Sequence, residues 1–410
     1  MKKTITLILL LFIGIANSQT TLIPDSNFEQ ALINSGIDSD GVINGQVLTS
    51  DVSNLTNLSV PSYNISDLTG IEDFVNLTDL AAFNNNISSI DLSNNTQLRV
   101  LYIDTNNLTA IDLTNNTQLQ TVWLGYNNIT AIDITNLTNL YTFKIEHNDL
   151  TSLDLSNKTI NLVECDNNLI TNLNVTNSGI SELICYNNRF TTLDISNTGV
   201  GILNCSNTNI STLNTTGKNF YSLDVSSTNI SSLDLSSSSN LQSLLCSYTN
   251  ITSLDLSNTG VSLDLVDFNG CNSLTEMNVK NGYNTSISTF NGYGTPNLSC
   301  IEVDDAAWST TNWVQVDSGV TFSEDCSTLS TNDLVMEDMK FYPNPVSTSL
   351  NVNTKEDLSY SIIDITGKQL KSGELSNGLN NIDLSTVSSG LLFIKINNSD
   401  SVVLKKILKN

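Results

Sequence analysis

Along most of this chain the apolar positions fall in a fixed rhythm. A unit L-x-x-L-x-L-x-x-N-x-I returns every 20 or 21 residues. It is clean at Leu98, Leu101, Ile103, Asn106 and Leu108, and again at Leu119, Val122, Leu124, Asn127 and Ile129. It continues through Leu140, Phe143, Ile145, Asn148 and Leu150, then Val163, Cys165, Asn168 and Ile170, then Leu183, Cys185, Asn188 and Phe190. Later copies carry Leu203/Cys205, Leu223/Val225 and Leu244/Cys246; earlier ones carry Leu80/Ala82 and, less regularly, Leu58/Val60. The two central apolar residues are two apart, so both leave one face of a short strand. One such strand cannot bury that face alone, whereas like strands stacked about 4.8 Å apart form a parallel sheet over a continuous core. The second half of each unit also alternates, as in Ile90-Asp91-Leu92-Ser93-Asn94 and Leu254-Asp255-Leu256-Ser257-Asn258. That pattern predicts extended backbone or turns on the return path, too short for a long helix.

The Asn that follows each strand (Asn85, Asn106, Asn127, Asn148, Asn168, Asn188) falls where the backbone turns inward. Its amide can satisfy turn N–H and C=O groups of its own and the next coil. Thr208, Thr228 and Thr249 replace it later, and a hydroxyl supplies fewer bonds, so that half is expected to be looser. The Asp column (Asp91, Asp112, Asp133, Asp154, Asp194, Asp234, Asp255) reads either as a calcium ladder or as side chains accepting turn N–H bonds. Asn174 and Asn214 share that column, and an acceptor role tolerates the swap better. Over residues 51–285 the repeat resembles the leucine-rich-repeat family. The expected fold is therefore mainly β: a leucine-rich-repeat solenoid with a concave parallel sheet and little helix, followed by a small C-terminal β-sandwich.

Repeat stacks need caps. Residues 19–50 are read as the N-terminal cap, with Ser26 and Glu29 forming a capping box before a helix whose apolar face is Phe28, Ala31 and Leu32, ended by Gly36. Asp38-Ser39-Asp40-Gly41 reads as a plain turn, since the distal Glu of a calcium loop is missing. At 286–326 the repeat breaks, and Asn297-Leu298-Ser299-Cys300, Trp308, Trp313 and Phe322 to Cys326 resemble a C-terminal cap of secreted bacterial repeat proteins. That resemblance implies a Cys300–Cys326 disulfide. Cys165, Cys185, Cys205 and Cys246 each replace the second core residue of a strand, and are read as small hydrophobes; Cys271 has no assigned pairing.

Residues 327–339 form a polar, acidic linker. Beyond it the composition shifts. Phe341-Tyr342-Pro343-Asn344-Pro345-Val346 opens a series of short alternating segments: 349–352, 359–365, 381–384, 391–396 and 402–407. With the D-x-x-G-K at Asp364 to Lys368, Ser389-Gly390-Leu391 and the lysine-rich end, residues 340–410 resemble the C-terminal sorting domain (type A) of type IX secretion substrates. The resemblance implies a Gram-negative source, passage through the periplasm and outer membrane by the type IX machinery, and release or attachment at the surface. At the other end, Lys2 and Lys3, the apolar run Ile5 to Ile15 and Ala16-Asn17-Ser18 read as a cleavable signal peptide over 1–18. That apolar run is too short to span a bilayer, so no transmembrane segment is expected after cleavage.

Charge narrows the partners. The chain holds 41 acidic and 16 basic residues. Of these, 35 acidic and 6 basic residues fall in 19–339. Such a polyanion repels nucleic acid and anionic headgroups, and tolerates basic surfaces or divalent cations best. No catalytic constellation is present: the single histidine, His147, lacks a triad pattern, no phosphate loop or H-E-x-x-H occurs, and the cysteines lack C-x-x-C spacing. No enzyme, cofactor or metal site is expected. Residues beside the inward pair must face solvent on the concave side. In the first half these are Phe83, Tyr102, Asp104, Trp123, Lys144, Glu146, Glu164, Asp166 and Tyr186, with Tyr126 and His147 just past the strands. In the second half they are mostly bland, as Asn204, Ser206, Ser226, Ser243 and Ser247. Exposed aromatics flanked by charge mark a recognition patch, here for a protein or glycan.

Overall fold

A computed structural model describes residues 19–326, 339–355, 357–397 and 402–410. The signal peptide at 1–18 and all but the last residue of the 327–339 linker lie outside the described residues. The chain divides into two compact units, one ending at Phe322 and one beginning at Ser323.

The first unit is a solenoid. Thirteen strands, from Asn57–Ser59 to Gln315–Val316, form one sheet in which neighbours run parallel. Leu58, Leu80, Leu101, Val122, Phe143, Val163, Leu183, Leu203, Leu223, Leu244, Val266 and Phe290 pair in register along it. All twelve are at most 4% exposed, and so are their i+2 partners from Val60 to Phe268. On the return path strands form in only two runs: Ser152–Asp154 with Asn172–Asn174, and Ser253–Asp255, Glu276–Asn278, Cys300–Glu302 and Thr321–Ser323. Cys165, Cys185, Cys205 and Cys246 are wholly buried in the core column; burial holds the first three thiols far above the usual range, and the hydrogen bond with Cys271, then burial, does so for Cys246.

The Asn column is a buried ladder, but it reaches the preceding coil, not the following one. Asn127 Oδ1 accepts from Leu108 N at 2.9 Å, and its Nδ2 donates to Ile103 O of the preceding coil and to Leu124 O of its own. At the strand end the backbone N–H groups donate to the following coil, as Ile103 N does to Trp123 O, whereas at the strand start they donate to the preceding one, as Thr121 N does to Arg99 O; the Ile103 carbonyl is left facing forward for Asn127. Thr208, Thr228 and Thr249 donate to their own coil, to Cys205 O, Val225 O and Cys246 O. The bond back to the preceding coil is lost in those repeats. A second ladder on the return turn was not foreseen. Asn95 and Asn116 donate to preceding-coil carbonyls, and further along the ammonium groups of Lys158 and Lys218 do the same. Both lysine pKa values are lowered, by burial.

The Asp column accepts N–H groups two residues on, as Asp112 does from Thr114 N and Asp234 from Ser236 N. The hydroxyl of the Ser or Thr two residues on, and then its N–H, hold Asp112, Asp133, Asp194 and Asp234 below the usual carboxylate range, while for Asp91 the Ser93 N–H leads. Asn174 and Asn214 accept in the same way from Thr176 and Thr216.

The N-terminal helix, Ser26–Asn34, buries Phe28, Ala31 and Leu32, and Gly36 follows it with φ +69°. The capping box needs correcting. Asp25, not Ser26, is the N-cap, accepting from Asn27 N and Phe28 N. Its other carboxylate oxygen accepts from Ser66 N and Asp67 N, which ties the helix to the first coils. Glu29 does not turn back to the helix start. It is fully buried and accepts from the N–H groups of Asn44, Gly45 and Gln46, a backbone nest that a serine cap could not have satisfied. At the far end a helix, Ala306–Asn312, is capped by Asp305, and the rings of Phe290 and Trp313 stack 4.0 Å apart to close the core. Cys300 and Cys326 are joined as a disulfide.

The second unit holds two antiparallel sheets of three and four strands. Leu350, Val352 and Ile382 of one sheet and Ile362, Ile394, Ile396 and Ile407 of the other form one core, as a sandwich does. Two of its strands, Lys340–Tyr342 and Gln369–Leu375, were not foreseen.

Candidate functional site

Each strand of the long sheet sends its central residue inward and its flanking residues out. Register then sets the outward residues in rows. Tyr102, Trp123, Lys144 and Glu164 occupy one row on four successive strands. The Tyr102 and Trp123 rings lie 4.5 Å apart, Lys144 Nζ sits 5.1 Å from the Trp123 ring centroid, and the same ammonium is 2.9 Å from Glu164 Oε1. Aromatic contact, cation–π contact and ion pair thus make one continuous chain across the strands.

Two residues further on runs the row Phe83, Asp104, Gly125, Glu146, Asp166 and Tyr186. Gly125 is the residue that sequence reasoning missed. A Cβ there would lie 2.2 Å from Glu146 Oε1, so the glycine makes room for the carboxylate to lie back over the sheet. Burial first, and then the charges of Glu164 and Asp166, push the Glu146 carboxyl up to about 7. Burial also raises Asp104. Asp104 Oδ1, Glu146 Oε2 and Trp123 Nε1 are buried and have no hydrogen-bond partner. Such orphans are uncommon in folded proteins, where nearly all buried polar atoms are paired. The later coils differ. Asn204 accepts from Ser206 and Asp224 from Ser226 within their own coils, although further on Asn291 Oδ1 is again buried without a partner.

A third row follows the strands. Tyr126 and His147 sit at turn positions with φ of 54° and 51°, where Asn167, Asn187 and Asn207 sit in later coils. Asn enters this left-handed region more readily than bulky side chains do. The Tyr126 and His147 rings stack, with centroids 4.2 Å apart and planes 14° from parallel. Together with Glu146, Glu164, Asp166, Ile184 and Tyr186 they line a cavity of about 320 Å³. Asp166 is 4% exposed and accepts from Asn167 Nδ2 at 2.7 Å. Burial, then the contact with Asp166, raises the Tyr186 phenol.

Ten of the eleven sequence-nominated residues therefore fall into the Tyr102 row, the cavity, or the orphaned group around Asp104. Phe83 stands apart, 37% exposed at the N-terminal edge of the patch. Among the described residues no group of three or more His, Cys, Asp or Glu side chains is arranged to hold a metal ion. No helix among them is long and apolar enough to cross a membrane.

Comparison with known proteins fits this architecture. Residues 340–410 match the family model described as the secretion system C-terminal sorting domain. Among curated proteins nothing matches the chain. Among solved structures, the functional domain of InlJ from Listeria monocytogenes, described as including a cysteine ladder, is similar at 19% identity with a TM-score of 0.51, over 96% of this chain and 99% of that one. The LRIM1/APL1C complex gives 17% identity and a TM-score of 0.50, over 67% of this chain and 57% of that one. A TDR receptor gives 13% and 0.51, over 63% and 52%. At such identities the likeness is one of fold. The chain is a leucine-rich-repeat solenoid followed by a type IX secretion sorting domain.

Proposed function

We propose that this is a secreted or surface-attached recognition protein, not an enzyme, which grips a protein or glycan with the concave face of its first seven coils. The sorting domain indicates export or surface attachment, and it implies contact with the type IX machinery. The observation that carries the reading is the coincidence, on one patch, of stacked rings, an ion-paired lysine and three buried polar atoms without partners. The stacking of the repeat does not require these groups, and interface hot spots are enriched in Tyr and Trp. Tyr126 and His147 add to it, because two successive bulky rings stack at a left-handed turn position that Asn167, Asn187 and Asn207 fill in the next coils. Replacing Tyr102, Trp123 and Tyr186 together with Ala should abolish adhesion and partner capture while the solenoid stays folded. Wild-type adhesion and capture by that variant would favour a structural surface component with no dedicated ligand. Turnover of any glycan or peptide substrate, abolished by one point substitution, would refute the non-catalytic reading.

A further inference from the structure

We propose that the cavity between Tyr126 and Tyr186 receives a basic side chain, an arginine guanidinium, presented by a protein partner. This rests on the recognition reading above and narrows it.

Tyr126 and Tyr186 lie three coils apart, roughly 14 Å at about 4.8 Å per strand spacing. Between them the wall is carboxylate: Glu146, Glu164 and Asp166 all line the space. No lysine or arginine lines it. The nearest cation in the row, Lys144, is already committed to Glu164 and to the Trp123 ring. Glu146 is held in place by the gap at Gly125, and its Oε2 has no partner. An anionic ligand would add repulsion to this excess of negative charge. A neutral sugar could donate hydrogen bonds, but it would leave the excess uncompensated. A cation answers it directly.

The rings decide between cations. The stacked Tyr126 and His147 planes give a flat wall beside the carboxylates. A guanidinium is planar, stacks on aromatic faces and presents a fork of donors that matches a carboxylate; an ammonium does only part of this. The cavity, about 320 Å³, admits such a side chain. The long-range field agrees, since the 35 acidic and 6 basic residues of 19–339 draw a basic partner toward this unit.

The test is calorimetric titration of the whole protein with three short peptides, identical except for a central arginine, lysine or citrulline. Citrulline keeps the shape of arginine and removes its charge. The arginine peptide should saturate one site and bind about tenfold more tightly than the citrulline peptide, with lysine between them. Glu146→Gln and Asp166→Asn should each weaken arginine binding about tenfold. Asp67→Asn, at a separate acidic surface, should leave it unchanged. Should Asp166→Asn fail to fold, Glu164→Gln supplies the same reading from a half-exposed position. Equal binding of arginine and citrulline, tighter binding of lysine, or equal loss from Asp67→Asn would each overturn the proposal; the last would show diffuse attraction to an acidic surface. The wider recognition reading falls separately, on capture by the triple alanine variant.

Discussion

Glu146→Gln should make the protein more stable in base and leave it nearly unchanged in acid. Folding carries the Glu146 carboxyl from its ordinary 4.5 to about 7, chiefly through burial. A group whose folded pKa is raised favours the native state fully below the unfolded value. That contribution is lost as pH rises through the folded value, because the native site must then hold a charge it solvates poorly. The window therefore runs from 4.5 to about 7. At about 1.36 kcal/mol for each unit of pH, the full cost of ionisation would be about 3 kcal/mol. This side chain is only partly buried, and solvent screening reduces the figure to about 1 kcal/mol. Glutamine keeps the shape and never ionises. Urea unfolding of both proteins near pH 4 and near pH 8 measures the difference. The advantage of the variant should be larger near pH 8 by about 1 kcal/mol. An advantage independent of pH, or larger in acid, would refute the reasoning. The same substitution should weaken arginine binding, so the carboxylate that stabilises a ligand destabilises its own fold.

Gly125→Ala should expel the Glu146 carboxylate, since the new Cβ would stand 2.2 Å from its Oε1. In a carbon-detected NMR titration the apparent pKa of Glu146 should fall toward its ordinary value. Asn127→Ala removes bonds that link two coils and should cost about 3 kcal/mol, whereas Thr228→Val, whose hydroxyl bonds only within its coil, should cost about 1 kcal/mol by urea unfolding. Leu101→Ala, fully buried in the core column, should cost about 3 kcal/mol in the same assay. Cys300→Ser with Cys326→Ser frees a closed loop of 26 residues and should cost about 3.5 kcal/mol by the chain-entropy relation, read as earlier proteolysis of the C-terminal cap.

Much of the solenoid was legible because its period is short and its core rows are strictly apolar. Leu101, Val122 and Phe143 announce one face without any knowledge of their neighbours. What stayed hidden depends on contacts between coils, which a one-dimensional pattern does not encode. The sense in which Asn127 reaches depends on which groups of the neighbouring coil, Leu108 N and Ile103 O, are left facing it. Lys158 and Lys218 carry no pattern of their own, yet their ammonium groups replace the amides of Asn95 and Asn116 in the return-turn ladder. Ser26 and Glu29 have the right spacing for a capping box, but Asp25 beside them is the stronger acceptor, and a buried nest claims Glu29. In the second unit Gln369–Leu375 escaped because six of its seven residues meet solvent, which leaves no alternation to read. The aromatic and charged members of the patch were visible as residue types. Gly125 was not, since its contribution is the space left by a missing side chain.

The threonine-bearing coils have a mechanical meaning. The chain between the patch and the sorting domain runs through coils 203–250, where the hydroxyls of Thr208 and Thr228 bond within their own coil and that of Thr249 reaches beyond its coil only forward, to Cys271 Sγ. If the C-terminal end is anchored to the cell while the patch holds a ligand, tension passes through these least-bolted turns. They would peel first and lengthen the tether, sparing the grip at one end and the anchor at the other.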